Sequence, residues 1–270
     1  MAMTAYLQKK LGDHAIGKAS YTMPAAVYLA LFSASPGENG SLASEVAGGS
    51  YARVSLTSLM GAFDAVTGIA TNASVVTFPG PTATWGLAQF IGIVDASTAG
   101  NVLFYAQLDN AKVINAGDSA VSFPVGSIVV QIAGAISGMI SSYLMKKLGD
   151  HALGKASYTM PAGVYHGLLA GDPTVAGSLA SEIGVGSYVR QPLTAAMGAF
   201  DATSGVAVNT AAISYPAPTA DYPVANYSFI ADAVSGGYLL FANQLPSPLS
   251  IRNGAAPALF EAGSIQLTMA

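Results

Sequence analysis

The chain opens on a helical period. Leu7, Leu11 and Ala15 recur at i, i+4 spacing, with Lys9, Lys10 and Asp13 away from that face. A short amphipathic helix is therefore predicted from Thr4 or Ala5. Gly12 weakens it, and Gly17 suits its C-terminal stop. Met23-Pro24 blocks continuation, and the period then changes. Ala25 to Ser33 is a near-continuous apolar run that fits a buried strand. Ser50 to Ser58, Ser74 to Phe78, Leu87 to Val94, Val102 to Leu108, Ala120 to Phe123 and Ser127 to Ile132 read as further strands. Turns rich in Gly, Pro, Asn and Asp separate them. About seven short strands so spaced predict an antiparallel sandwich or barrel, with one small helix packed on or beside the sheet.

The whole pattern then recurs. Tyr6 to Tyr28 and Tyr143 to Tyr165 are identical at 20 of 23 positions. The offset of 137 residues holds to the end without a gap. Tyr51 and Arg53 return as Tyr188 and Arg190, and Gly61-Ala62-Phe63-Asp64 returns as Gly198-Ala199-Phe200-Asp201. The chain is a tandem duplication. The expected organisation is a first β domain over 1–133, a linker over 134–142 and a second β domain over 143–270. Both domains are mainly β, antiparallel sandwich or barrel, each with a short N-terminal helix.

Composition narrows the function. Only 9% of residues are charged and 52% are hydrophobic, against roughly 25% charged in an average soluble domain. Such a chain is expected to live packed into an assembly, as a homo-oligomer or beside other subunits. A monodisperse monomer at high concentration would count against that. The net charge is −4, and the ten Lys and Arg are scattered. Nucleic-acid binding, which needs clustered cations to meet phosphates, is not expected. With no cysteine, disulfides and thiolate chemistry are excluded. The N-terminus lacks the apolar core of a signal peptide. The longest apolar run, Ile128 to Ile140, is too short to span a bilayer at ~20 residues. The expected setting is synthesis in a cytoplasm, with no membrane partner.

Candidate chemistry is sparse. Asp13-His14 and Asp150-His151 pair a carboxylate with an imidazole, as half of a hydrolase triad would. Adjacent helix residues do not face each other, however, and no G-x-S-x-G elbow occurs. His14 and His151 are read as structural caps or interface residues. His166 replaces Leu29 and so is absent from the first copy. Asp64, Asp95, Asp109 and Asp118 are isolated and read as turn caps rather than calcium ligands. No catalytic residue, metal site or cofactor is expected. Glu45 and Arg53, with Glu182 and Arg190, are charges kept in both copies. They are read first as an ion pair holding a loop on a strand, second as a contact to a neighbouring subunit. Tyr51 and Tyr188 suit a half-exposed, hydrogen-bonded site beside them. Trp85, the one tryptophan, becomes Tyr222 in the second copy, and Ser55 becomes Pro192. The two domains should therefore share a fold and present different surfaces.

A family resemblance follows from these residues. Tyr6-Leu7, Lys10-Leu11, Asp13-His14, Gly17, Tyr21-Thr22, Pro24 and Val27-Tyr28 resemble the start of a family of small tailed-bacteriophage virion proteins. These are often labelled tail-fibre or minor structural proteins. The likeness runs on through Glu45 to Arg53, Phe78-Pro79, Trp85-Gly86 and Gly100 to Leu103. It implies a virion component without a catalytic site. The expected function is a capsid-decorating, or cement, protein bridging shell subunits, with a tail-fibre or tail-tip component binding the host surface as the alternative. The expected partners are other virion proteins, the major capsid protein first and tail proteins second.

Overall fold

The computed structural model describes residues 1–132 and 139–269. The first copy runs β1 (Ala2–Met3), α1 (Ala5–Ala15), β2 (Tyr28–Phe32), β3 (Val54–Ser55), β4 (Ile69–Thr71), β5 (Val76–Thr77), β6 (Gly86–Val94), β7 (Val102–Ile114), β8 (Ser122–Phe123) and β9 (Val129–Gln131). The second repeats it as β10 (Met139–Ile140), α2 (Ser142–Ala152), β11 (Tyr165–Leu169), β12 (Gln191–Pro192), β13 (Val206–Val208), β14 (Ile213–Ser214), β15 (Ala225–Ala231), β16 (Leu239–Leu249), β17 (Leu259–Phe260) and β18 (Gln266–Thr268). The chain is mainly β, with two similar sheet-rich halves and two helices. Among the described residues no helix is long and apolar enough to cross a membrane.

Each main sheet has five antiparallel strands, in the order β1-β7-β6-β2-β3 and β10-β16-β15-β11-β12. Two-stranded ribbons accompany them: β4·β9 and β5·β8, then β13·β18 and β14·β17. Neither main sheet closes, which corrects the barrel alternative. The strands at the open edges are only two residues long, and Pro192 on one of them has no N–H to donate. The elements depart from the predicted pattern in places. β1 and β4 are too short to show a period of two, and of Ser50 to Ser58 only Val54–Ser55 is strand. β7 runs past Leu108 to Ile114, so Asp109, read as a turn cap, lies within a strand.

Local rules account for the helices. Thr4 Oγ1 accepts the Leu7 N–H at 3.4 Å and donates to Val102 O at 2.7 Å, so one hydroxyl caps α1 and ties it to β7. Ser141 Oγ caps α2 through the Leu144 N–H. Gly17 sits at φ 73°, and the Lys18 N–H reaches back to Asp13 O at 2.8 Å. That is the left-handed stop glycine favours. Gly154 and Lys155 repeat it.

The sheet carries the core. Leu29, Ala30, Leu31 and Phe32 are all buried, so β2 is covered on both faces. Ala30 and Phe32 share one side with Val94 and Val102. In the second copy, Leu168 and Leu169 fall into two different clusters, as alternation on a strand requires.

The compact units do not follow the repeat in sequence. One unit consists of Met1–Gln8, Thr22–Ile132 and Lys146–Tyr158. The other consists of Lys9–Tyr21, 139–145 and 159–269. Most of each helix thus belongs with the sheet of the opposite copy. Of the expected linker, 134–138 lie outside the described residues. Met139–Ile140 is a strand, and Ser142 opens α2.

Candidate functional site

The seat of the exchanged helix is the most specific arrangement in the molecule. Within the first unit, Asp150 Oδ1 accepts the Phe63 N–H at 2.7 Å, and Lys146 Nζ donates to Phe63 O at 2.9 Å. Lys146 and Asp150 also pair with each other at 2.9 Å. One i, i+4 pair of side chains therefore grips both peptide groups of a single residue. Lys155 adds a donation of 2.7 Å to Thr57 O. Within the second unit, Asp13 and Lys9 take Phe200 in the same way, both at 2.7 Å. The Phe ring lies on a helix glycine. A Cβ on Gly12 would stand 2.6 Å from the Phe200 ring, and one on Gly149 would overlap Phe63.

Two expectations change here. Asp13 is buried, not away from the packed face, because its carboxylate meets a backbone donor. Gly12 is a docking surface for a ring as well as a weak point in a helix. The available signal was joint retention: Lys-x-x-Gly-Asp on the helix and Gly-Ala-Phe-Asp after β3 stand unchanged in both copies.

His14 and His151 are buried at the helix ends. The Nδ1 of each accepts a backbone N–H seven residues on, from Tyr21 and Tyr158, both at 3.0 Å. The imidazole thus fixes the path of the chain after the glycine stop.

Glu45, Tyr51 and Arg53 meet in the first unit. Arg53 binds Glu45 through Nε at 2.8 Å and Nη2 at 2.6 Å, a two-pronged pair. Its Nη1 donates to Ala96 O and Ala99 O, the turn between β6 and β7. Tyr51 donates to Glu45 at 3.0 Å and accepts the Leu31 N–H at 3.1 Å. Burial, the larger effect, and then the Glu45 charge raise the Tyr51 hydroxyl well above the usual phenol range. Glu182, Tyr188 and Arg190 repeat the cluster, with Arg190 over the Phe229 ring at 5.0 Å. The ion pair therefore lies within each unit and binds strand β2 or β11, a loop and a turn together.

Trp85 is buried. It meets Tyr51 edge-on at 5.2 Å, and its Nε1–H donates to Gly49 O at 3.0 Å. Asp64 is an exposed turn cap, accepting from Val66 and Thr67. Those hydrogen bonds, the Thr67 N–H foremost, hold its carboxyl below the usual carboxylate range. Among the described residues, no group of three or more His, Asp or Glu could hold a metal ion. These contacts of Glu45, Tyr51, Arg53, Trp85 and their counterparts thus lie within one unit each.

The comparison with known families is direct. A family model described as Podophage GP4 fiber I protein gp80 matches residues 2–131 and again residues 139–268. The two matches carry the offset of the repeat, and each starts at the first strand of its copy. No curated protein matches the chain.

Proposed function

The chain belongs to the family of the podophage GP4 fiber I protein gp80, and from that premise we propose that it is a non-enzymatic fibre component of a tailed-phage virion. It is a virion structural protein, and membership of a fibre family implies contact with other virion proteins. The finer reading is that two covalently joined modules bind two neighbouring sites on the particle. The observation that carries it is the match of the family model to each copy over nearly its whole length. The internal use of Asp13, Glu45, Arg53 and their counterparts supports a holding role over a chemical one. Tethering also supports it, because a second contact made at an effective concentration of about millimolar strengthens attachment without new chemistry.

The cement reading, a clamp over shell subunits, rests on the same tethering and low charge. The fibre description moves the preference to the fibre. Gold-labelled antibody on intact virions, with a count of copies per particle, tests the choice. A small number of copies confined to fibres is expected. Hundreds of copies spread over the shell would replace the fibre reading with the cement reading.

A further inference from the structure

The two copies differ in polarity at one cluster of positions. Leu29, Phe78, Ile91 and Ala106 of the first copy become His166, Tyr215, Ser228 and Asn243 in the second. Four apolar positions have turned polar together, and the structure brings them to one spot. Tyr215 Oη lies 2.9 Å from His166 Nδ1 and 3.1 Å from His166 O. A void of about 10 Å³ is lined by His166, Ser228 and Asn243 among others. Ser228 and Asn243 also line an open cavity of about 490 Å³, with Gln244, Phe260, Ser264 and Gln266. Gln266 is itself new to this copy, standing where the first has Val129.

Two buried polar atoms here have no hydrogen-bond partner in the protein: His166 Nε2 and Asn243 Oδ1. Their roles follow from their neighbours. A carbonyl only accepts, so the contact at 3.1 Å is a hydrogen bond only when the Tyr215 hydroxyl donates to His166 O. His166 Nδ1–H then donates to Tyr215 Oη, and Nε2 is left as a bare acceptor. Asn243 donates through its Nδ2 to Gln266 O at 3.2 Å, which leaves Oδ1 as a second bare acceptor. Orphan acceptors in a core are unfavourable, and the first copy shows that this fold is built without them.

We propose that the second module alone carries a binding site for an uncharged saccharide unit, seated in the cavity over Ser228 and Asn243. A hydroxyl group supplies the donor that the buried Asn243 Oδ1 requires, while His166 Nε2 faces the small void beneath the cavity. The amides of Asn243, Gln244 and Gln266 and the hydroxyls of Ser228 and Ser264 offer the mixed donors and acceptors that adjacent sugar hydroxyls match. Phe260 gives an apolar surface for a ring face. No lining side chain is ionisable, so a charged ligand would lose its hydration without a partner. The volume lies in the range of small-ligand pockets. The inference stands independently of where on the particle the protein sits.

The test uses the full chain and ligand-detected saturation-transfer NMR. The probes are glucose, galactose, mannose, rhamnose and N-acetylglucosamine, with sialic acid as the charged arm and glycerol as the acyclic arm. At least one neutral sugar is expected to bind, and sialic acid and glycerol are expected not to. The variant H166L/Y215F/S228I/N243A restores the residues of the first copy. It should fold, melt at a higher temperature and bind at least tenfold more weakly. N243A serves alone if the fourfold variant does not fold. The proposal is overturned if no neutral sugar gives a signal, if sialic acid or glycerol binds as well as the sugars, if the variants bind as the parent does, or if a high-resolution structure in excess sugar shows water alone against Asn243 Oδ1.

Discussion

Asp150 accepts the backbone N–H of Phe63 at 2.7 Å across 87 residues of chain, and it does so from a buried carboxylate. Asp13 and Phe200 form the same bond across 187 residues. Hydrogen bonds to a charged partner are worth about 1.5–3 kcal/mol, and more is lost when the remaining donor is stranded. Asp150→Ala is expected to destabilise the protein by about 3 kcal/mol in urea unfolding. Asp150→Asn, which can keep one acceptor, should cost less. Equal effects of the two would remove the specific role of the carboxylate.

Gly149→Ala separates docking from propensity. In a free helix the change stabilises by roughly 1 kcal/mol. Here the new methyl meets the Phe63 ring, and overpacking typically costs about 1–3 kcal/mol. Net destabilisation is expected, partly rescued by Phe63→Leu. A rise in melting temperature for Gly149→Ala alone would show that the ring does not sit on the glycine.

The exchange of helices predicts the behaviour of a single copy. Residues 1–138 contain α1 and the Phe63 seat but not 146–158, which fills that seat. The helix residues that grip Phe200, Lys9 and Asp13, are the counterparts of Lys146 and Asp150. The fragment is expected to form a dimer that trades helices, a low-cost route to association when elements are identical. Light scattering after gel filtration reads this directly, and a folded monomer would contradict it.

The Glu45–Arg53 pair is nearly shut from water on its arginine side, which is 4% exposed. Breaking such a pair costs about 3–5 kcal/mol, because one charge is left buried alone. Glu45→Gln is therefore expected to lose about that much. Glu45→Gln with Arg53→Met should lose less than Arg53→Met and Glu45→Gln summed. A double-mutant cycle showing strict additivity would mean the pair does not act as a unit.

His166 makes stability depend on acid. Burial lowers its pKa from 6.5 to about 3. Between those values the unfolded chain holds a proton that the folded chain refuses, so stability falls as pH drops from 6.5 towards 3. The groups facing the ring are Tyr215, Phe260, Ser228 and Asn243, none of which changes charge in that window. The loss reaches on the order of 4 kcal/mol at the lower end. His166→Leu should flatten that limb. The exposed Asp64 and Asp201, whose carboxyls are also held low, remain in both proteins and cancel in the comparison. Parallel curves for parent and variant would refute the buried, neutral imidazole.

Much of this protein follows from neighbouring residues in the chain. The duplication, the helix at each start, its glycine stop, most strands and the turn caps Asp64, Asp95 and Asp118 follow from periods and turn chemistry, whereas Asp109 lies within β7. Those forces act over a few residues, so a window of sequence contains them. Three other features depend on groups brought together from far apart. The Lys-x-x-Gly-Asp run reads as a solvated face with a flaw in it, until Phe63 or Phe200 arrives from a distant segment. His166 reads as a lone substitution, until Tyr215, Ser228 and Asn243 stand around it. Which helix completes which sheet cannot be told from two copies that match so closely, because both seats offer the same contacts. The folded chain decides it, through the connectivity that determines which helix reaches which seat.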